Sequence, residues 1–112
     1  MFDTQWHELG KIPVGQPITF YYKYLGIGDI VKIDGRDHTK FHCSCTSSEY
    51  NYKTKILKVT YTPKAVPYHI KNKGENLYKY DANSIMQFKE NGTVKQYVLQ
   101  FTAFPYDADN KL

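Results

Sequence analysis

The sequence predicts an all-β domain, a sandwich or small barrel of about seven short strands. Three observations carry this expectation. Runs of β-branched and aromatic residues alternate with polar ones at a period of two. Glycine, proline and asparagine turns separate those runs. No segment holds a helical period over three turns.

In chain order, residues 1–8 place Phe2 and Trp6 among polar neighbours, which suits a first edge strand or an arm on the core. Leu9 to Pro17 has two glycines and two prolines, so this backbone belongs at a sheet edge or between sheets. Ile18 to Leu25 is a strong strand, with Ile18, Phe20, Tyr22 and Tyr24 on one face and Thr19, Tyr21 and Lys23 on the other. Gly26 to Asp29 is a bend, Ile30 to Ile33 a short strand and Asp34-Gly35 a turn. Phe41, Cys43 and Cys45 share one face of an extended segment, with His42 and Ser44 opposite. The polar run Thr46 to Asn51 reads as a loop, and Lys55 to Thr62 as the cleanest strand. After Thr62 the signal weakens, with a polar loop over Lys71 to Glu75 and a short strand or helical turn over Asn76 to Asn83. Ser84 to Glu90 and Val94 to Phe104 flank Asn91-Gly92, the strongest short-range hairpin cue. Pro105 ends that strand, and residues 106–112 form a polar tail. The expected organisation is one domain over 1–112.

A chain of 112 residues can build one core with little to spare. Hydrophobic residues make up 41% and aromatics 16%, so eleven tyrosines and six phenylalanines carry much of the burial, with hydroxyls directed at the surface. The net charge of +4 comes from lysines scattered along the chain, which is not the basic stripe of a dedicated nucleic-acid binder. No apolar run approaches the ~20 residues of a membrane span, and no basic-then-apolar secretion signal opens the chain. The expectation is a protein without membrane contact. A disulfide between strand neighbours i and i+2 would be strained near the ~7 Å Cα limit, so reduced thiols are expected at Cys43 and Cys45.

The series Trp6-His7-Glu8-Leu9-Gly10-Lys11-Ile12, then Gly15-Gln16-Pro17-Ile18-Thr19-Phe20, a Gly-Asp bend, and Cys43-Ser44-Cys45-Thr46 resembles a group of bacterial immunoglobulin-like domains. That group is itself similar to the ASH domains of ciliary and centrosomal proteins. The likeness spans Trp6 to Pro63. Ser44 stands where the family has glycine, the family's Pro-Gly turn is missing from Asn51 to Thr54, and Pro63 to Asn83 has no counterpart. The resemblance implies an immunoglobulin-like β-sandwich of about seven short antiparallel strands and a binding or scaffolding role without catalysis. Small lone sandwiches of this kind also resemble phage virion proteins that decorate a capsid or brace a tail, an analogy at the level of fold.

The chemistry-bearing residues support no strong motif. Cys43, Cys45, His42 and the nearby His38 do not make the paired, tetrahedral spacing of structural zinc. Nothing marks an activating environment for a Cys/His nucleophile. Gly26-Ile27-Gly28 lacks the third glycine and the helix of a dinucleotide turn. Neither catalytic residues nor metal ligands nor a cofactor are therefore expected. Tyr50 and Tyr52 in a polar run beside Lys53 and Lys55 suggest protein-contact anchors, and Trp6, Tyr50, Tyr52, Lys53 and Tyr68 are the contact candidates. The leading expectation is a non-enzymatic structural or interaction protein, a capsid-decoration or accessory virion protein docking on a repeated protein lattice. Its location would be the virion if phage-encoded and the cytoplasm otherwise, and a homo-oligomer is compatible with it. The alternative is an OB-like single-strand nucleic-acid binder that uses Tyr21, Tyr22, Lys23 and Tyr24 as a stacking platform. A third reading, an enzyme or metal protein built on Cys43 and Cys45, has the least support.

Overall fold

The computed structural model describes residues 1–41, 44–74 and 77–107, and seven strands and one helical turn make up its regular structure. The elements are β1 (Trp6–Pro13), β2 (Ile18–Lys23), β3 (Asp29–Val31), β4 (Thr46–Asn51), β5 (Ile56–Tyr61), α1 (Tyr68–Lys71), β6 (Tyr80–Glu90) and β7 (Thr93–Tyr106). A four-stranded sheet of order β1-β7-β6-β3 faces a three-stranded sheet of order β2-β5-β4. These orders are those of an immunoglobulin-type sandwich, with the first strand carried onto the sheet of the last. The two sheets remain separate, so the fold is a sandwich rather than a closed barrel.

Two features depart from a set of short antiparallel strands. β1 runs parallel to β7, and the β6–β7 hairpin is long, with strands of 11 and 14 residues. Asn91 (φ 51°) and Gly92 (φ 80°) form its turn, the left-handed pair that a two-residue hairpin requires. Parallel β1 joins the edge through a bulge between Glu8 and Gly10, where Gly10 takes φ 71°, a conformation that glycine adopts without strain.

The arm expected over 1–8 divides in two. Phe2 is buried and bridges to Tyr24, whereas Trp6, His7 and Glu8 already belong to β1. The first residues thus cross from one sheet to the other. Pro105 does not end its strand, because it still faces Ile12 of β1. β6 pairs only as far as Ala103, so on that side no partner needs the amide proline lacks.

The polar run Thr46 to Asn51, expected as a loop, is strand β4. It is an edge strand paired on one side only, with β5, and Tyr50 is its single buried residue. One anchor per strand is a weak period-two signal. Ser44 and Cys45, expected in a strand, lie in a turn. Cys45 is disulfide-bonded, which corrects the expectation of reduced thiols. Strain in an i, i+2 bridge belongs to an extended strand, and Ser44 and Cys45 lie in a turn instead. The expectations for His42, Cys43, Glu75, Asn76 and residues 108–112 lie outside the described residues.

The core is aromatic. Tyr24 stacks on Phe88 across the two sheets with ring centroids 3.7 Å apart and planes at 8°. Phe20 and Tyr61 each approach Phe101 at 5.0 Å, and Tyr61 lies parallel to Tyr80. Aromatic pairs in these arrangements contribute about 0.5–1.5 kcal/mol each beyond burial. Leu57, Val59, Met86 and Leu99 fill the remaining space without exposure.

At one end of this core, the Tyr24 hydroxyl donates to Glu90 Oε2, and Tyr97 donates to the same oxygen at 2.8 Å. Gly28 closes over the site, its N–H donating to the Tyr24 oxygen at 3.1 Å. A Cβ on Gly28 would stand 2.7 Å from the Lys89 carbonyl oxygen. The Gly26-Ile27-Gly28 bend therefore serves close packing. Gly28→Ala is expected to lower stability by about 1–3 kcal/mol, measured by urea denaturation.

The same cluster sets the response to pH. Burial, with the Glu90 hydrogen bond second, pushes Tyr24 from 10.0 up to about 12. Burial raises Tyr22 and Tyr61 as well. Below pH 10 both folded and unfolded chains keep these protons. Between 10 and 12 the unfolded chain ionises first, so stability falls as pH rises through this window. Glu90 moves the other way, held below 4.5 by the hydrogen bonds from Tyr24 and Tyr97. Its contribution is present above 4.5 and is lost as pH falls further. Melting temperature should decline on both flanks, and Glu90→Gln should flatten the acidic flank and, by removing the carboxylate that helps to raise Tyr24 and Tyr97, also weaken the alkaline one.

Candidate functional site

The four-stranded sheet turns an outer face away from the core. Ser84, Met86, Leu99 and Phe101 point inward and are buried, so Asn83, Ile85, Gln87, Gln96, Val98 and Gln100 point outward. Ile85 lies opposite Val98, Gln87 opposite Gln96 and Asn83 opposite Gln100, and Trp6 faces Gln100 from β1. Gln87 Nε2 donates to Gln96 Oε1 at 3.2 Å. These central rows carry aliphatic and amide side chains with no charge. Charge appears at the two ends, at Lys89 opposite Asp29 and at Asp81 beside Glu8, both of which pair with Thr102.

Trp6 is held on this face. It is 52% exposed, yet its indole N–H donates to Thr102 Oγ1 at 3.0 Å. Thr102 in turn donates to Asp81 Oδ1 at 2.6 Å. The chain Trp6–Thr102–Asp81 spans β1, β7 and β6 and fixes the ring over the sheet.

The other expected contact residues are dispersed. Tyr50 is buried beneath β4 and packs edge-on to Tyr52, so it cannot serve as an external anchor. Tyr52 and Lys53 are exposed at the β4–β5 turn, where the Tyr52 hydroxyl donates to Asp37. Tyr68 is 78% exposed on α1. Trp6 is the member of this set that lies on the outer face of the larger sheet, between its uncharged central rows and the charged end at Asp81 and Glu8.

The expected nucleic-acid platform is split by the strand. Tyr22 and Tyr24 lie in the core without appreciable exposure, while Tyr21 and Lys23 face outward. The Tyr22 hydroxyl donates to the Gln100 carbonyl of the opposite sheet. One exposed tyrosine is left where the stacking reading needed three.

A second feature lies at the edge of the sandwich beside β4. Here a cleft of about 790 Å³ is lined by Arg36, His38, Lys40, Phe41, Ser48 and Glu49, among others. His38 crosses between the sheets at this edge. Its Nε2 lies 2.7 Å from Ser48 Oγ on β4. Its Nδ1 lies 2.6 Å from the Thr39 carbonyl and 3.0 Å from Ser84 Oγ on β6. His7 plays the corresponding part beside β1, where Nε2–H donates to the Tyr21 carbonyl at 2.6 Å. No sequence motif announces the His38 cluster, since its members come from positions 38, 48 and 84.

Among the described residues no group of three or more side chains is arranged to hold a metal ion. No helix among them is long and apolar enough to cross a membrane. Comparison with protein-family models, curated proteins and solved structures finds no match.

Proposed function

We propose that this chain is a protein-interaction module that docks through the outer face of its four-stranded sheet onto a repeated protein lattice of the kind a phage capsid presents. The observation that supports docking is the fixed, exposed indole of Trp6 beside the uncharged central rows of this face. Interface hot spots favour tryptophan, and a ring already locked by Thr102 and Asp81 loses little freedom on binding. The aliphatic and amide rows around it desolvate without stranding a charge. Lattice docking accounts for the rest of the reading, because many copies of a modest contact produce strong retention by avidity. The mechanism is surface complementarity, and it requires no reaction.

The test is to tag the chain in its own source, isolate assembled particles by gradient centrifugation and count copies beside the major shell protein. Trp6→Ala should weaken binding by about 2 kcal/mol or more, roughly thirtyfold in Kd. Val98→Lys, which sets a charge in the uncharged rows, should act in the same direction, and Tyr68→Ala should have no effect. Retention of both Trp6→Ala and Val98→Lys at the level of the unmodified chain would remove this face from the account.

A further inference from the structure

We infer that Ser48 is an activated nucleophile, with His38 as its base, able to accept an acyl group from a small activated ester in the cleft beside β4. The inference is independent of docking, since β4 belongs to the other sheet. The protons decide it. A carbonyl oxygen only accepts, so the Thr39 carbonyl, 2.6 Å from His38 Nδ1, requires a proton on that nitrogen. Ser84 Oγ, 3.0 Å from the same nitrogen, gives its own proton to the Thr39 carbonyl and is left to accept from the ring. Both neighbours of Nδ1 are thus acceptors toward it. In the neutral ring Nε2 then carries the lone pair, and at 2.7 Å it accepts the proton of Ser48 Oγ.

This is the nucleophile, base and orienting group of serine acyl transfer, with a backbone carbonyl and a buried serine in the third position. Ser84 is fully buried, so the ring is oriented from inside the sandwich. Ser48 is exposed at the sheet edge and opens on the cleft, whose size suits a small ligand. Arg36 and Lys40 line the same cleft, as do Asp37 and Glu49, so charges of both signs border the space open to a ligand. In the step, Ser48 Oγ forms a bond to the acyl carbon while His38 Nε2 takes the hydroxyl proton. The carbon–oxygen bond to the leaving alcohol then breaks, and the alcohol leaves with that proton.

A fluorophosphonate reagent tests the site, forming a phosphorus–oxygen bond to the serine with loss of fluoride, and peptide mass spectrometry locates the adduct. The expected result is labelling of Ser48 in the folded protein and not of Ser47, its likewise exposed neighbour, which is paired with Thr60 and does not line the cleft. His38→Gln keeps a hydrogen-bonding side chain without a basic nitrogen and should slow labelling about a hundredfold. The comparison of Ser48 with Ser47 in the unmodified chain decides the matter even where His38→Gln perturbs folding. Absence of labelling, equal labelling of Ser47 and Ser48, or an unchanged rate in folded His38→Gln would reduce the cluster to a clamp between the sheets and overturn the inference.

Discussion

Tyrosine rings that must be buried while their hydroxyls still find partners constrain the whole fold. A buried hydroxyl left unpaired costs about 1–3 kcal/mol, and at Tyr22 and Tyr24 the sandwich meets the demand by sending the ring across the core to a polar group on the far side. Tyr22 on β2 reaches the Gln100 carbonyl of β7, and Tyr24 reaches Glu90 at the end of β6. These contacts tie the sheets together at fixed points along β6 and β7. They also fix the Gly26-Ile27-Gly28 bend, which has to lie against the Tyr24 hydroxyl and the β6 backbone. Among the described residues, the Tyr80 hydroxyl is the buried side-chain polar atom without a partner, and its ring is compensated by parallel stacking on Tyr61.

Around the aromatic core, a histidine bridges the two sheets on either side of the sandwich. His7 reaches from β1 to the backbone of β2, and His38 links β4 to β6. Both rings use short, directional hydrogen bonds where a sandwich would otherwise gape. The division of labour follows. The interior supplies stability, one edge holds a cleft with a polar cluster, and the outer face of the larger sheet keeps its central rows uncharged, with Trp6 fixed beside them.

The period-two pattern made the architecture legible. Ile18 to Leu25 and Val94 to Phe104 each alternate cleanly, and Asn91-Gly92 marks its turn by chemistry that few other residue pairs supply. Edges were harder to read. β4 carries one buried residue in six, so its polar surface resembles a loop. The parallel course of β1 depends on a bulge and on which strand it meets, and neither is a local property. The contact candidates show the same limit. Composition identifies tyrosines near lysines, yet only the fold shows that Tyr50 is interior and that Trp6 is pinned by Thr102, 96 residues away. The His38 cluster was invisible for the same reason, its three side chains being joined by topology alone.

Hydroxyl-radical footprinting of the chain, free and bound to particles from its own source, tests the central claim most directly, because it reads side-chain exposure residue by residue. The account expects Trp6, Ile85, Val94 and Val98 to lose reactivity on binding while Tyr52 and Tyr68 keep theirs. Protection centred on Tyr52 and the β4–β5 turn, with Trp6 as reactive as in the free chain, would contradict it.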